Sequence, residues 1–257
     1  MRLHWTGLNG SADLMAVVEL AKQVEQLCVV VTTQPAHSDR WRDGIDFFSR
    51  DSQADTDSEL ANLRFPDWET LPYDAFSPHQ DIISERLSTL QTLRTANKGV
   101  LTVPVSTLMQ KVPPLSYLDG ACFELHVGGN FDLANQRLML ESAGYNSVET
   151  VTERGQYAAR GALMDVYPMG AELPVRIDLL DDEIDTLRTF DPDSQRTVER
   201  IQQLSLLPAK EFPFDEAAIA RFRDQWHDSF QVDVRQCSIY QDVSSYIAPN
   251  GVEYYLP

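Results

Sequence analysis

The hydrophobic period of this chain changes near Gly120, and that change confines it to two architectures joined in one polypeptide. Before the change, short apolar runs alternate with stretches of helical spacing. Residues 28–32 and 100–105 read as strands buried on both faces, as in a parallel sheet. Leu14, Val17, Val18, Ala21 and Val24 recur at helical spacing behind Ser11. This predicts a helix capped by Ser11 and running to about Leu27. A second helix is predicted over 39–50, with Trp41, Ile45 and Phe48 inward, followed by a polar loop at 51–59. A short strand around Leu63 leads into a loop stiffened by Pro66 and Pro72. Ser77-Pro78 is expected to open a third helix, whose apolar face continues through Ile83, Leu87, Leu90 and Leu93. Strands alternating with helices predict a parallel α/β sheet.

Beyond Gly120 the pattern is that of half-buried strands. Residues 122–127 alternate between polar and apolar, and Gly128-Gly129 is a turn signal. A helix over 133–143 is predicted to close at Gly144. Short strands are expected at 148–152, 162–167, 175–180, 184–190 and 201–206, with a hairpin turn at Asp181-Asp182-Glu183. This region reads as α+β, rich in antiparallel pairs. After Leu207-Pro208 a helical pattern returns over 215–230.

Charge and composition narrow the function classes. The net charge is −18. Non-specific nucleic-acid affinity comes mainly from Lys and Arg neutralising phosphates, so the bulk charge opposes direct DNA binding. At 257 residues and 43% hydrophobic, the chain can build one or two cores. Its cysteines, Cys28, Cys122 and Cys237, are odd in number and form no CxxC. Reduced thiols in a cytoplasmic protein are the expectation. No signal-peptide core is present, and the apolar run at 27–31 is too short to span a bilayer. Both ends are abrupt, at Met1-Arg2-Leu3-His4-Trp5 and at Tyr254-Tyr255-Leu256-Pro257, which leads us to expect a fragment of a longer protein.

The motifs of catalysis are missing. Gly7-Leu8-Asn9-Gly10-Ser11 sits where a phosphate-binding loop would precede a helix. Such a loop needs a lysine to reach the phosphate oxygens and a following Ser or Thr to hold magnesium. The four lysines, Lys22, Lys98, Lys111 and Lys210, follow Ala21, Asn97, Gln110 and Ala209. No GK[ST] therefore occurs, and a glycine turn capping a helix is the expected role. Asp181-Asp182-Glu183 resembles a metal-holding acidic motif, but Arg176 and Asp178 break the buried strand that such a motif requires. None of the five histidines has a second His or Cys at ligand spacing. The expectation is no catalytic residue, no metal and no cofactor.

Three ordered stretches carry a resemblance. The first is Asp67-Trp68-Glu69-Thr70-Leu71-Pro72-Tyr73-Asp74, continuing through Ser77-Pro78-His79-Gln80-Asp81-Ile82-Ile83-Ser84 to Arg86-Leu87. The second is Val103-Pro104-Val105-Ser106-Thr107-Leu108-Met109-Gln110. The third runs from Gly155-Gln156-Tyr157-Ala158-Ala159-Arg160-Gly161-Ala162-Leu163 through Asp181-Asp182-Glu183-Ile184-Asp185 to Leu206-Leu207-Pro208-Ala209. Together they resemble the N-terminal, UvrB-like module of bacterial transcription-repair coupling factors. The resemblance implies a degenerate UvrB/helicase-like parallel-sheet domain, split over 1–121 and 207–257, with a small α+β domain inserted at 122–206. It implies a non-catalytic interaction module that binds UvrA by mimicking UvrB. RNA polymerase would be reached only through other parts of the parent, an ATP-driven DNA translocase. By motif position the contacts to UvrA fall on Arg160, Arg176 and Leu180. Leu180 departs from the family's pattern, which has an aromatic residue there, and keeps the position apolar with less area. Two arginines on strands beside an exposed apolar side chain match the chemistry of an interface hot spot. The competing arrangement pairs each arginine internally with Asp165, Asp178 or Asp181. The alternative function, a nucleotide-binding or DNA-binding helicase-type domain, would need the phosphate-loop lysine or a basic stripe.

Overall fold

The computed structural model describes residues 4–24, 26–50 and 60–255. The expected polar loop at 51–59 lies outside the described residues, as do residues 1–3, 25 and 256–257 of the predicted helix end and chain ends. The chain forms two compact units, Met1–Trp68 with Ser88–Gln110, and Glu69–Leu87 with Lys111–Pro257. Among the described residues, no helix is long and apolar enough to cross a membrane.

In the first unit, β1 (Leu27–Thr32), β2 (Asn62–Arg64) and β3 (Gly99–Pro104) form a parallel sheet in the order β1-β3-β2. Helices α1 (Ala12–Gln23) and α2 (Pro35–Ser49) cover it. Val18, Ala21, Ile45, Leu60 and Val100 make its core, with Val17, Trp41 and Phe48 packed against them. Val17, Val18, Ala21, Trp41, Ile45 and Phe48 are among the inward positions that helical spacing predicted. The Arg40 guanidinium bonds both oxygens of Asp13, at 2.9 and 2.8 Å, and ties α2 to α1. That bond holds the Asp13 carboxyl below its usual range.

One expectation for this sheet fails. β1 is not buried on both faces, because Val29 and Val31 are 52% and 49% exposed. β1 is an edge strand among the described residues, and its Cys28 and Val30 face the helix-covered core. An all-apolar run shows that a strand can be buried, not how many layers cover it. Ser11 stands at the N-cap of α1 as expected, but its side chain makes no capping hydrogen bond.

Helix α3 (Gln80–Leu93) starts two residues after Ser77-Pro78. A one-turn helix, α4 (Val105–Leu108), follows β3, and Ser106 and Thr107 both donate to Asp67 Oδ2.

The second unit opens with α5 (Leu115–Ala121) and β4 (Phe123–His126). Asp132 caps α6 (Leu133–Ser142) by accepting from the backbone of Ala134 and Asn135. Six strands follow in an almost sequential meander: β5 (Asn146–Ser147), β6 (Gln156–Arg160), β7 (Leu163–Val166), β8 (Val175–Leu180), β9 (Glu183–Phe190) and β10 (Thr197–Ile201). Their order is β10-β9-β8-β7-β6-β5, antiparallel except between β5 and β6. The turn from β8 to β9 is the predicted hairpin, with Asp181 at φ 55°.

Three strand expectations shift. The strand expected at 148–152 is instead the short β5, and Val148 and Val151 pack against Ala158, Tyr167 and Phe190. The single strand expected at 201–206 is two. Thr197–Ile201 pairs with β9, and β11 (Gln203–Leu206) pairs with β4. The strand pattern did not single out Gln156–Arg160 at all. Side-chain alternation does not show which neighbour a strand will choose, because long-range pairing makes that choice.

The chain then forms α7 (Glu216–Ser229), capped by Asp215, and α8 (Ser238–Ser244). Both enclose an aromatic cluster of Phe212, Phe222 and Trp226, with Phe230, Tyr240 and Tyr255 against it.

The first turns of α3 hold this unit together. Arg86 is fully buried, and its Nε donates to Glu211 Oε1 at 2.6 Å. Two residues earlier, the Ser84 hydroxyl accepts from the Gly170 backbone at 2.7 Å, and at the start of the helix Asp81 pairs with Arg154. Upstream, Ser77 accepts from the Gly251 backbone, and Thr70 O accepts from the Tyr254 hydroxyl. Replacing Glu211 by Ala removes a buried carboxylate partner of Arg86. It should cost about 3–5 kcal/mol in urea denaturation, while the double change Arg86→Met with Glu211→Leu should recover most of that loss. Equal midpoints for Glu211→Ala and the unaltered chain would show that the pair stabilises nothing.

Candidate partner-binding surface

The six-stranded sheet has two chemically different faces, and its register assigns each residue to one of them. Residues paired directly across strands share a face. One face carries Tyr157, Met164, Val166, Val175, Ile177 and Leu187, each no more than 2% exposed. The Tyr157 hydroxyl reaches across to Glu141 on α6 at 2.7 Å.

The other face is polar and partly open. One of its rows runs Arg160–Leu163–Asp178–Thr186 across β6 to β9. The next runs Ala158–Asp165–Arg176–Arg188–Arg200 across β6 to β10. Val148 and Val151 cover its far end, over Ala158, Tyr167 and Phe190. The end nearest the β8–β9 hairpin is open, and Leu180 stands there 69% exposed. Arg160, Arg176 and Leu180 therefore lie on the same face, although 20 positions separate the first from the last in sequence.

Their environments differ. Arg160 is exposed at the end of β6, and its Nη2 lies 3.4 Å from Thr150 Oγ1. Among the described residues it has no carboxylate within ion-pair distance. Arg176 is half-buried and internally paired. Its Nε and Nη2 donate to the two oxygens of Asp165 at 2.7 and 2.8 Å, and its guanidinium lies 4.7 Å over the Phe190 ring. The Asp165 hydrogen bonds raise its pKa further above the ordinary arginine value. The competing arrangement of internal pairing thus holds for Arg176 and not for Arg160. Asp178 is claimed by Arg188 and by the Thr186 hydroxyl, the latter at 2.5 Å. The pairs orient two arginines and neutralise two acids, leaving Arg160 and Leu180 to project near the hairpin, where Asp181, Asp182 and Glu183 are also exposed.

The sequence reading missed Leu163, which occupies the row between Arg160 and Asp178 and is 38% exposed. Alternation along Leu163, Asp165 and Tyr167 was the available signal. Among the described residues, no group of His, Cys, Asp and Glu is arranged to hold a metal ion.

The sheet and its flanking strands coincide with a known domain family. Residues 123–212 match the UvrB interaction domain, which makes this region a module of that class. The chain is also 49% identical over 250 residues to the transcription-repair-coupling factor of Escherichia coli strain K12, across 97% of this chain and 21% of that protein. To the transcription-repair-coupling factor of Haemophilus influenzae it is 44% identical over 250 residues, across 96% of this chain and 21% of that protein. To that of Myxococcus xanthus it is 33% identical over 215 residues, across 82% of this chain and 17% of that protein. The chain belongs to the transcription-repair-coupling factor family, and it spans about a fifth of the length of these relatives.

The Arg176–Asp165 fork is a structural element of the face. Asp165→Asn should weaken it and lower the stability of the chain by about 2 kcal/mol, read as the urea midpoint. An unchanged midpoint would mean that solvent replaces the fork at no cost.

Proposed function

We propose that the chain is a non-catalytic interaction module, and that it binds UvrA through the open face of the β6–β10 sheet by presenting a surface like that of UvrB. The single observation that carries this reading is the gathering of Arg160, Arg176 and Leu180 on one partly open sheet face, inside the segment that matches the UvrB interaction domain. A planar guanidinium beside an exposed leucine suits a partner surface with carboxylates around an apolar patch. The reading gives Arg160 the direct charged contact. Arg176 supports the face from beneath, its fork already spent on Asp165.

In the whole protein this module recruits excision repair to stalled RNA polymerase, in the cytoplasm. RNA polymerase and the ATP-driven movement on DNA fall to other parts of the parent. The functional insertion is residues 122–206, set within a degenerate helicase-like domain that 1–121 and 207–257 supply. Direct DNA binding is disfavoured by the chain's net charge of −18 and by the pairing of Arg176 and Arg188 with acids on the sheet face they share.

Calorimetric titration with purified UvrA tests the proposal. The unaltered chain should bind, and UvrB should compete with it. Arg160→Ala should weaken binding at least about tenfold at an unchanged melting temperature, since its side chain is exposed. Binding as strong as that of the unaltered chain, by both Arg160→Ala and the Arg160→Ala, Arg176→Ala double variant, would move the site off this face.

A further inference from the structure

The residues that the family resemblance points to surround one to which it assigns no contact. Leu163 opens β7 and is paired directly with Arg160 on β6 and with Asp178 on β8. Arg176 and Leu180 stand two positions to either side of Asp178 on the same strand, so both are diagonal neighbours of Leu163 on the same face. The charges next to Leu163 are unequal. Asp178 is engaged by Arg188 and Thr186, and Asp165 by Arg176. Arg160 alone among these has no carboxylate within reach among the described residues. The immediate surroundings of Leu163 are thus an apolar patch, completed by Leu180, beside an uncompensated positive charge. Binding energy concentrates near the centre of an interface, where surrounding contacts exclude water, and the rim contributes less.

We infer that Leu163 is the central apolar anchor of the partner-binding face, and that the partner covers it with an apolar group flanked by carboxylates. This inference rests on the reading of the face as a UvrA-binding surface and adds to it the residue at its middle. Charge complementarity selects the partner: Arg160 attracts a carboxylate, the neutralised acids at Asp165 and Asp178 do not repel one, and the exposed Asp181, Asp182 and Glu183 beyond Leu180 confine that carboxylate to the Arg160 side. Leu180 alone is a poor anchor, because it projects from a hairpin tip with 69% of its surface in water. Leu163 is at 38% exposure and is flanked on both sides by strands. It is already positioned by its neighbours and loses less side-chain freedom when covered.

The test is titration of purified UvrA with Leu163→Ala, Leu163→Met and Leu163→Asp, beside the unaltered chain and Arg160→Ala, with thermal melts of each. The expected result is affinity at least about tenfold weaker for Leu163→Ala, near the original for Leu163→Met, and no detectable binding for Leu163→Asp. All three should melt within a few degrees of the unaltered chain. Unchanged affinity in Leu163→Ala, with binding lost in Arg160→Ala, would overturn the anchor and leave the face assignment standing. Unchanged affinity in both, or no binding by the unaltered chain, would overturn the face assignment and the anchor together. The Leu163→Met variant guards against misfolding as an explanation, since it keeps apolar volume at the same site.

Discussion

The fold of the second unit depends on burying one arginine. Arg86 has no exposed surface, and its carboxylate partner Glu211 stands 125 positions away in sequence. A guanidinium taken out of water is tolerable only where hydrogen bonds and an opposite charge meet it. Bringing residue 211 onto α3 supplies that guanidinium with a carboxylate. The neighbouring turns of the helix repeat the device more cheaply, through Ser84 to the Gly170 backbone and Asp81 to Arg154. Segments from both ends of the β-sheet region are thereby fastened to one helix, and its register is inherited by everything they carry.

The same logic of satisfied charge shapes the open sheet face. Such a face with four arginines could have been a basic stripe. Arg176 and Arg188 are instead consumed by Asp165 and Asp178, so the positive charge is left at separate edges, Arg160 on β6 next to leucines and Arg200 on β10. A surface of that kind discriminates between partners by the position of their carboxylates, not by bulk charge. It also explains how a chain of net charge −18 can offer a binding site for acidic groups.

The stretch Asp67 to Arg86, prominent in the family resemblance, has a structural explanation here. Thr70, Ser77, Asp81, Ser84 and Arg86 each make a long-range bond to a segment more than seventy positions distant. Nothing in the spacing of these residues announces that role. Isolated polar residues in a helix read as solvated until their partners are known.

What the sequence determined by itself was the local physics. Apolar spacing located α1, α2, α6 and α7, the hairpin acids located the β8–β9 turn, and the change of period near Gly120 separated the parallel sheet from the antiparallel one. The resemblance supplied Arg160, Arg176 and Leu180 as candidates. Only the tertiary structure decided which sheet face they share, that Arg176 is paired while Arg160 is open, that β1 has an uncovered face, and that Leu163 lies between them. The reason is that helix spacing and turn chemistry are properties of neighbouring residues. Strand partners, layer count and ion pairing depend on segments far apart in the chain, and no local pattern encodes their meeting.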